Sequence, residues 1–307
     1  MPDPTRRTAL AAGAAAAATL LAESPAPAAP PFTPSGQVKH SLVWWCYHAA
    51  GEKWDAATMC QVAVELGCKS VELIEPEHWP TLKKHGLTCA IAGNGYPKTG
   101  FMYGLNNPRH NKDVVAATTK RIGACAAAGV PSVIAFTGMS HVDPADPKSG
   151  EISRDDGAKH CVAALKELAG VAEKANVTVC VEHLNSRDSS HPMKGHPGYQ
   201  GDDLDYVAGI LRQVGSPRVK LLFDIYHVQV MHGDLVRRID QLFDLIGHIH
   251  TAGCPGRGEL DATQEIHYPA VIKKLVAKGY AGYVGHEFIP TRDARIGLAE
   301  AVRACDG

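Results

Sequence analysis

From about Val38 onward the chain alternates two hydrophobic patterns. Short apolar runs, bounded by glycine or polar residues, give way to longer segments whose apolar residues recur at helical spacing. The runs VKHSLVWWCY, SVELI, LTCAIAG, SVIAFTG, TVCVEHLN, VKLLFDIYH, GHIHTAG and GYVGHEFIP predict eight strands. They are close to continuously apolar, as strands covered on both faces are. DAATMCQVAVELG, NKDVVAATTKRIGACAAAG, RDDGAKHCVAALKELAGVAEKAN, DDLDYVAGILRQVG, DLVRRIDQLFDLI, YPAVIKKLVAKGY and ARIGLAEAVRAC predict helices between and after them, and PTLKKHG a short one. Gly67 and Gly129 stand where two of the helices stop. Strict alternation of strand and helix implies a parallel sheet.

Eight such units imply an α/β fold closed on itself, a (β/α)8 TIM barrel, as a single domain over residues 35–307. An open, doubly wound sheet would more often carry a glycine-rich phosphate loop after its first strand. WWCYHAAGEKW has one glycine there. In a barrel all strand C-termini open at one mouth. Two long connections, GNGYPKTGFMYGLNNPRH and NSRDSSHPMKGHPGYQGDD, open there too, with a composition suited to covering a polar ligand.

Four of the runs end on polar residues of metal-binding type: Glu182, Asp224, His250 and Glu287. Buried carboxylates are costly unless neutralised, hydrogen-bonded or bound to a metal. The strands are consecutive, the fifth to the eighth, so the four side chains should be neighbours. Three carboxylates that close repel unless a cation compensates them. An oxygen-rich set with one imidazole suits one divalent ion, Mn²⁺, Mg²⁺ or Co²⁺, better than structural zinc. His248 lies one strand repeat deeper than His250 and is expected to fill a core layer.

Charge narrows the partners. Acidic and basic residues number 32 and 31, so nothing points to nucleic acid or to an anionic membrane. The nine cysteines include no C-x-x-C pair, and most fall inside expected helices or strands. They read as small buried hydrophobes rather than a disulfide framework. Residues 1–34 stand apart: Arg6-Arg7, an alanine-rich apolar run from Ala9 to Ala22, then a Pro/Ala-rich stretch. This resembles a twin-arginine export signal, with the export machinery as partner and the periplasm as destination. Cysteines without disulfides fit a protein exported already folded. The sequence leaves assembly as a homo-oligomer open.

FDIYH, IGHIHTAG with the following PGRGE, QEIHYPA and GHEFIP together resemble the hydroxypyruvate isomerase family, within the xylose-isomerase-like superfamily of sugar isomerases and epimerases. The resemblance covers nearly all of the chain after the leader and is sharpest from Val177 to Pro290. It implies that Glu182 and Glu287 both bind the metal and serve as the acid/base pair, with Asp224 and His250 as the other ligands. It also implies that His227, Arg257 and Asn185 lie near the substrate's oxygens. One position departs. Hydroxypyruvate isomerases usually have glutamine where His250 stands, whereas ketose 3-epimerases have histidine.

The chemistry follows from the groups themselves. A metal bound by a ketone and an adjacent hydroxyl acidifies the intervening C–H. One carboxylate removes that proton and a second can return it. Return to the neighbouring carbon isomerises a small hydroxy-carbonyl substrate; return to the original carbon from the other face epimerises a sugar. The Arg257 fork suits a substrate carboxylate or hydroxyl, or else a surface salt bridge. An exported sugar-binding protein would not need both glutamates. A multi-zinc phosphoesterase would need more histidine ligands and a basic face.

Overall fold

The structure is a computed structural model and describes residues 32–307. The expected export signal lies outside the described residues except for its last positions. In chain order the elements are β1 (Lys39–Val43), α1 (Trp44–His48), α2 (Ala56–Glu65), β2 (Ser70–Glu72), α3 (Trp79–Lys84), α4 (Asn111–Ala128), β3 (Ser132–Phe136), β4 (His141–Asp143), β5 (Asp146–Glu151), α5 (Arg154–Ala175), β6 (Thr178–Glu182), α6 (Leu204–Val214), β7 (Val219–Asp224), α7 (Ile225–Met231), α8 (Leu235–Leu242), β8 (Ile246–Thr251), α9 (Tyr268–Ala277), β9 (Tyr283–His286) and α10 (Ala294–Ala304). Side-chain caps start several helices where the sequence offers them. Asp55, Ser153, Asp203 and Asp293 each accept a backbone N–H of the first turn.

Seven strands form one parallel sheet in the order β2-β1-β9-β8-β7-β6-β3. The run 87–93 closes the ring between β2 and β3, but not as a regular strand. It touches its neighbours at two isolated parallel bridges, Ser70 with Thr88 and Ala92 with Val133. The N–H of Ala90 donates to the Ser70 hydroxyl at 2.8 Å instead of to a ladder carbonyl. Leu73, where β2 leaves the ladder, has φ +52°. The eighth barrel member is therefore a stitched segment, which corrects the expectation of a third strand.

Two other expected strands are too long. β1 stops at Val43 and β7 at Asp224; the apolar residues that follow form the short helices α1 and α7. The antiparallel hairpin β4–β5 is polar and was not anticipated.

Alternation along each strand separates two cores. Val179, Val181, Leu221, Phe223 and Ile249 face outward to a large apolar layer shared with Leu165, Leu168, Ile210 and Leu275 of the helices. Ile91, Ile134, Cys180 and Leu222 form a small cluster inside the barrel. Glu182 and Asp224 follow Cys180 and Leu222 two residues later, so they rise from that inner layer to the mouth.

The first and last parts of the domain are tied together. Ser35 N donates to both Asp306 carboxylate oxygens at 2.8 Å, and its hydroxyl to the Asp306 carbonyl at 3.0 Å. His40 lies 3.4 Å from Asp306 and 3.2 Å from His286. All nine cysteines are buried and free. Burial pushes the Cys60 thiol up to about 11 and the Cys68 thiol to about 12, so both stay protonated.

Candidate active site

Glu182 ends β6, Asp224 ends β7, His250 lies near the end of β8, and Glu287 follows β9 directly. The register pairs Asp224 with His250, and His250 with Gly285. Each residue offers one ligand atom to a group whose members lie within 4.8 Å of one another, and all four residues are buried. The atoms converge without satisfying each other. His250 Nδ1 lies 2.7 Å from Glu287 Oε2 and 3.6 Å from Glu182 Oε1, yet it has no hydrogen-bond partner, and neither has Glu182 Oε1. Buried polar atoms left that way are rare. Three carboxylates and one imidazole aimed at a common point can hold a divalent cation.

Arg257 is buried in the same cluster. Its Nη2 donates to Glu287 Oε2 at 2.6 Å and reaches Asp224 Oδ2 at 3.4 Å, and Nη1 donates to the Met193 carbonyl at 2.5 Å. It is no surface salt bridge. Trp45, on α1, donates its indole N–H to Glu287 Oε1 at 2.8 Å. The other side of Asp224 is fixed by α7, whose Tyr226 and His227 N–H groups donate to Oδ1 at 2.8 and 3.2 Å.

These surroundings push the two glutamates apart. Burial raises the Glu182 carboxyl to about 7, opposed by the nearby His250 imidazole and aided by the charge on Glu287. Glu287 is equally buried, but Arg257 and His250 outweigh the desolvation and hold it at about 2. Burial also raises Asp224, with Arg257 pulling the other way. His250 is held well above its ordinary value: burial opposes this, but the carboxylates of Glu287, Glu182 and Glu72 prevail.

His227 is buried, and burial followed by the Arg257 charge keeps it neutral. Its Nδ1 accepts from Asn185 N at 3.1 Å and from Asn185 Nδ2 at 2.7 Å. The ring proton therefore sits on Nε2, which lies 3.7 Å from Asp224 Oδ2 and has no hydrogen-bond partner. The Asn185 amide is fully committed: it also donates to the Lys194 carbonyl at 2.8 Å and accepts from Asp188 N at 3.0 Å. Asn185 sets the His227 ring rather than facing the cluster with a free group. The two long connections meet nearby, where Phe101 packs on His196 with ring centroids 4.3 Å apart and His196 lies 5.9 Å from His227.

Two residues at the site escaped the sequence reading. Glu72, at the end of β2, accepts from His250 Nε2 at 2.8 Å and from His248 Nε2 at 3.0 Å. His248 is thus hydrogen-bonded as well as buried in the core. Burial favours neutral Glu72, but the two imidazoles outweigh it and hold the carboxyl far below the ordinary range. The other residue is Trp45. SVELI carries a strand-terminal acid of the same kind as Glu182, Asp224 and Glu287; Trp45 carries no such signal.

Residues 60–305 match the family of xylose isomerase-like TIM barrels. The human protein named putative hydroxypyruvate isomerase is 34% identical over 135 residues, 44% of this chain and 47% of that protein. The 2-oxo-tetronate isomerase of Cupriavidus necator is 33% identical over 167 residues, 53% of this chain and 61% of its own length. The chain thus matches about half to three-fifths of the length of these relatives. The crystal structure of apo 3-keto-D-glucoside 4-epimerase from E. coli superimposes with a TM-score of 0.69 at 20% identity, covering 87% of this chain and all (100%) of that one; at that identity the likeness is one of fold. With the family match spanning most of the described domain and the barrel observed, this chain belongs to the xylose isomerase-like TIM-barrel family.

Proposed function

We propose that the protein is a divalent-metal-dependent isomerase of hydroxypyruvate or a similar small hydroxy-carbonyl compound. The observation that carries this is the convergence of Glu182, Asp224, His250 and Glu287 within 4.8 Å. The names of the human and C. necator relatives support the substrate class. Mn²⁺, Mg²⁺ or Co²⁺ suits the donor set. When bound, such an ion supplies Lewis-acid polarisation of a carbonyl and an adjacent hydroxyl.

The protein's own residues divide the proton work. Glu287, whose ionised form Arg257 and Trp45 favour, takes the proton from the carbon that bears the hydroxyl. The C–H electrons move into an enediolate. Glu182, the carboxyl not paired with Arg257, returns a proton to the former carbonyl carbon, while the hydroxyl proton passes to the former carbonyl oxygen. Two carboxylates in different surroundings, Glu287 paired with Arg257 and Trp45 and Glu182 with neither, can divide the roles of base and acid. Arg257 and the free Nε2–H of His227 donate to substrate oxygens and hold the substrate in place.

The test is turnover of hydroxypyruvate, 2-oxo-tetronate and a panel of free ketoses, with chelator and with Mn²⁺. Isomerisation of a small 2-oxo acid that chelator abolishes and Mn²⁺ restores supports the proposal. Full activity in demonstrably metal-free protein sinks it. Ketose 3-epimerisation is the second reading, favoured by His250 in place of the glutamine usual in hydroxypyruvate isomerases; epimerised ketose with inert hydroxypyruvate would select it.

We also infer export by the twin-arginine route, from Arg6-Arg7 and the weakly apolar run behind them. Free, buried cysteines suit folding in a reducing compartment before export. Replacing Arg6 and Arg7 together by Lys should leave the protein in the cytoplasm, as cell fractionation would detect; unchanged export would refute this route.

A further inference from the structure

We propose that Glu72 is a positioning residue: it grips the Nε2–H of His250 so that Nδ1 is the nitrogen presented to Glu182, Asp224 and Glu287. This rests on the metal reading above but concerns a residue that reading does not use. Glu72 is buried and stands at the end of β2, with β1 and β9 between it and β8. Its carboxylate crosses the barrel interior to reach both β8 imidazoles with one oxygen, at 2.8 and 3.0 Å.

The crossing needs room. Gly285 of β9 lies beneath it, and a Cβ there would stand 2.2 Å from Glu72 Oε1 and 2.9 Å from His250 Cδ2. A glycine at this point of β9 is what lets the carboxylate pass.

The chemistry of the acceptor carries the rest. An ionised carboxylate only accepts, so each ring nitrogen facing it must carry the hydrogen. That assigns N–H to His250 Nε2 and leaves Nδ1 to face the cluster. His248 donates to the same oxygen, with its ring edge-on to His250 at 85°, and steadies the carboxylate from a second side. A ligating histidine whose other nitrogen is held by a carboxylate is fixed in both tautomer and ring orientation. An amide in place of Glu72 could turn its NH₂ toward the ring and reverse the tautomer, moving the lone pair away from the cluster.

The test titrates purified full-length wild type, Glu72→Gln and Glu72→Asp with Mn²⁺, reading free Mn²⁺ by electron paramagnetic resonance and folding by circular dichroism. Wild type should bind one Mn²⁺ per chain. Both variants should bind one, about 10–100-fold more weakly, with turnover recovering toward wild type at saturating Mn²⁺. Should Glu72→Gln fail to fold, Glu72→Asp, which keeps the charge but falls one methylene short of His250, gives the same readout. Wild-type Mn²⁺ affinity in a folded variant, even one with a lowered melting point, overturns the proposal and leaves Glu72 a purely structural group. Two Mn²⁺ in wild type with one lost in Glu72→Gln overturns it differently: Glu72, His248 and His250 would then bind an ion themselves. No Mn²⁺ on the wild type brings down both this inference and the metal reading.

Discussion

The two sides of the barrel are built to different standards. From β6 to β9 every neighbour is a laddered strand, and each strand delivers one member of the cluster at the mouth. From β1 through the run 87–93 the ladder gives way after β2 to a stitched segment held by two bridges, the Leu73–Ile91 backbone bond and the Ser70–Ala90 bond. That side supplies no cluster member. It supplies groups that hold the cluster: Trp45 on Glu287 and Glu72 on His250. Regular ladders fix side-chain spacing closely, which a ligand set requires. A hydrogen bond from a supporting residue tolerates more backbone irregularity.

The largest test of this division is on the laddered side. Glu182→Gln and Glu287→Gln should each lower turnover on the order of 10²–10⁴-fold, and saturating Mn²⁺ should not restore it. Solvent deuterium incorporation followed by NMR separates the roles, because the variant lacking only the proton-returning group can still exchange the substrate's α-hydrogen. Near-normal turnover by both variants at saturating Mn²⁺ would reduce the two glutamates to metal ligands.

Next is Arg257→Leu. It leaves Glu287 and Asp224 buried without their cation, and should cost about 3–5 kcal/mol of stability in denaturant unfolding. An unchanged midpoint would mean that the carboxylates do not depend on Arg257.

Trp45→Phe on the supporting side should act more gently. Losing the N–H to Glu287 Oε1 removes a bond that favours the ionised carboxylate, so the Glu287 pKa rises from about 2. The acid limb of the pH–rate profile should move up rather than down, with turnover near neutrality little changed. A shift downward, or a loss as large as that of Glu287→Gln, would erase the distinction between the two sides. The smallest effect is expected from Ser70→Ala, which should cost about 1 kcal/mol and speed amide hydrogen exchange between Thr88 and Ala92 while leaving Thr178–Glu182 protected.

The sequence made the alternation of strand and helix legible because both patterns are strong where a strand is covered on both faces. It over-extended β1 and β7 because Trp44–Tyr47 and Ile225–Tyr226 stay apolar as they turn into buried helices, and buried helix and buried strand share that pattern. It could not show the broken ladder at Cys89–Ala90, since the cause is a hydroxyl from another strand. The hairpin β4–β5 has no apolar period to read. The convergence of Glu182, Asp224, His250 and Glu287 was legible because consecutive strand ends are neighbours in a closed sheet. Glu72 was not, because its reach across Gly285 to β8 joins positions that are remote in both sequence and strand order.

The seam between Ser35 and Asp306 has a practical meaning. Where two ends of a domain already touch, joining them costs little chain entropy, and the order of elements along the polypeptide becomes separable from their arrangement in space. A short linker from residue 307 to residue 35, with new ends opened at the exposed Ala145 between β4 and β5, would give a circularly permuted chain that begins with β5 and runs through β6 to β9 before reaching β1, with β4 at its end. In that chain all four converging side chains leave the ribosome first, and the strands that steady them come last.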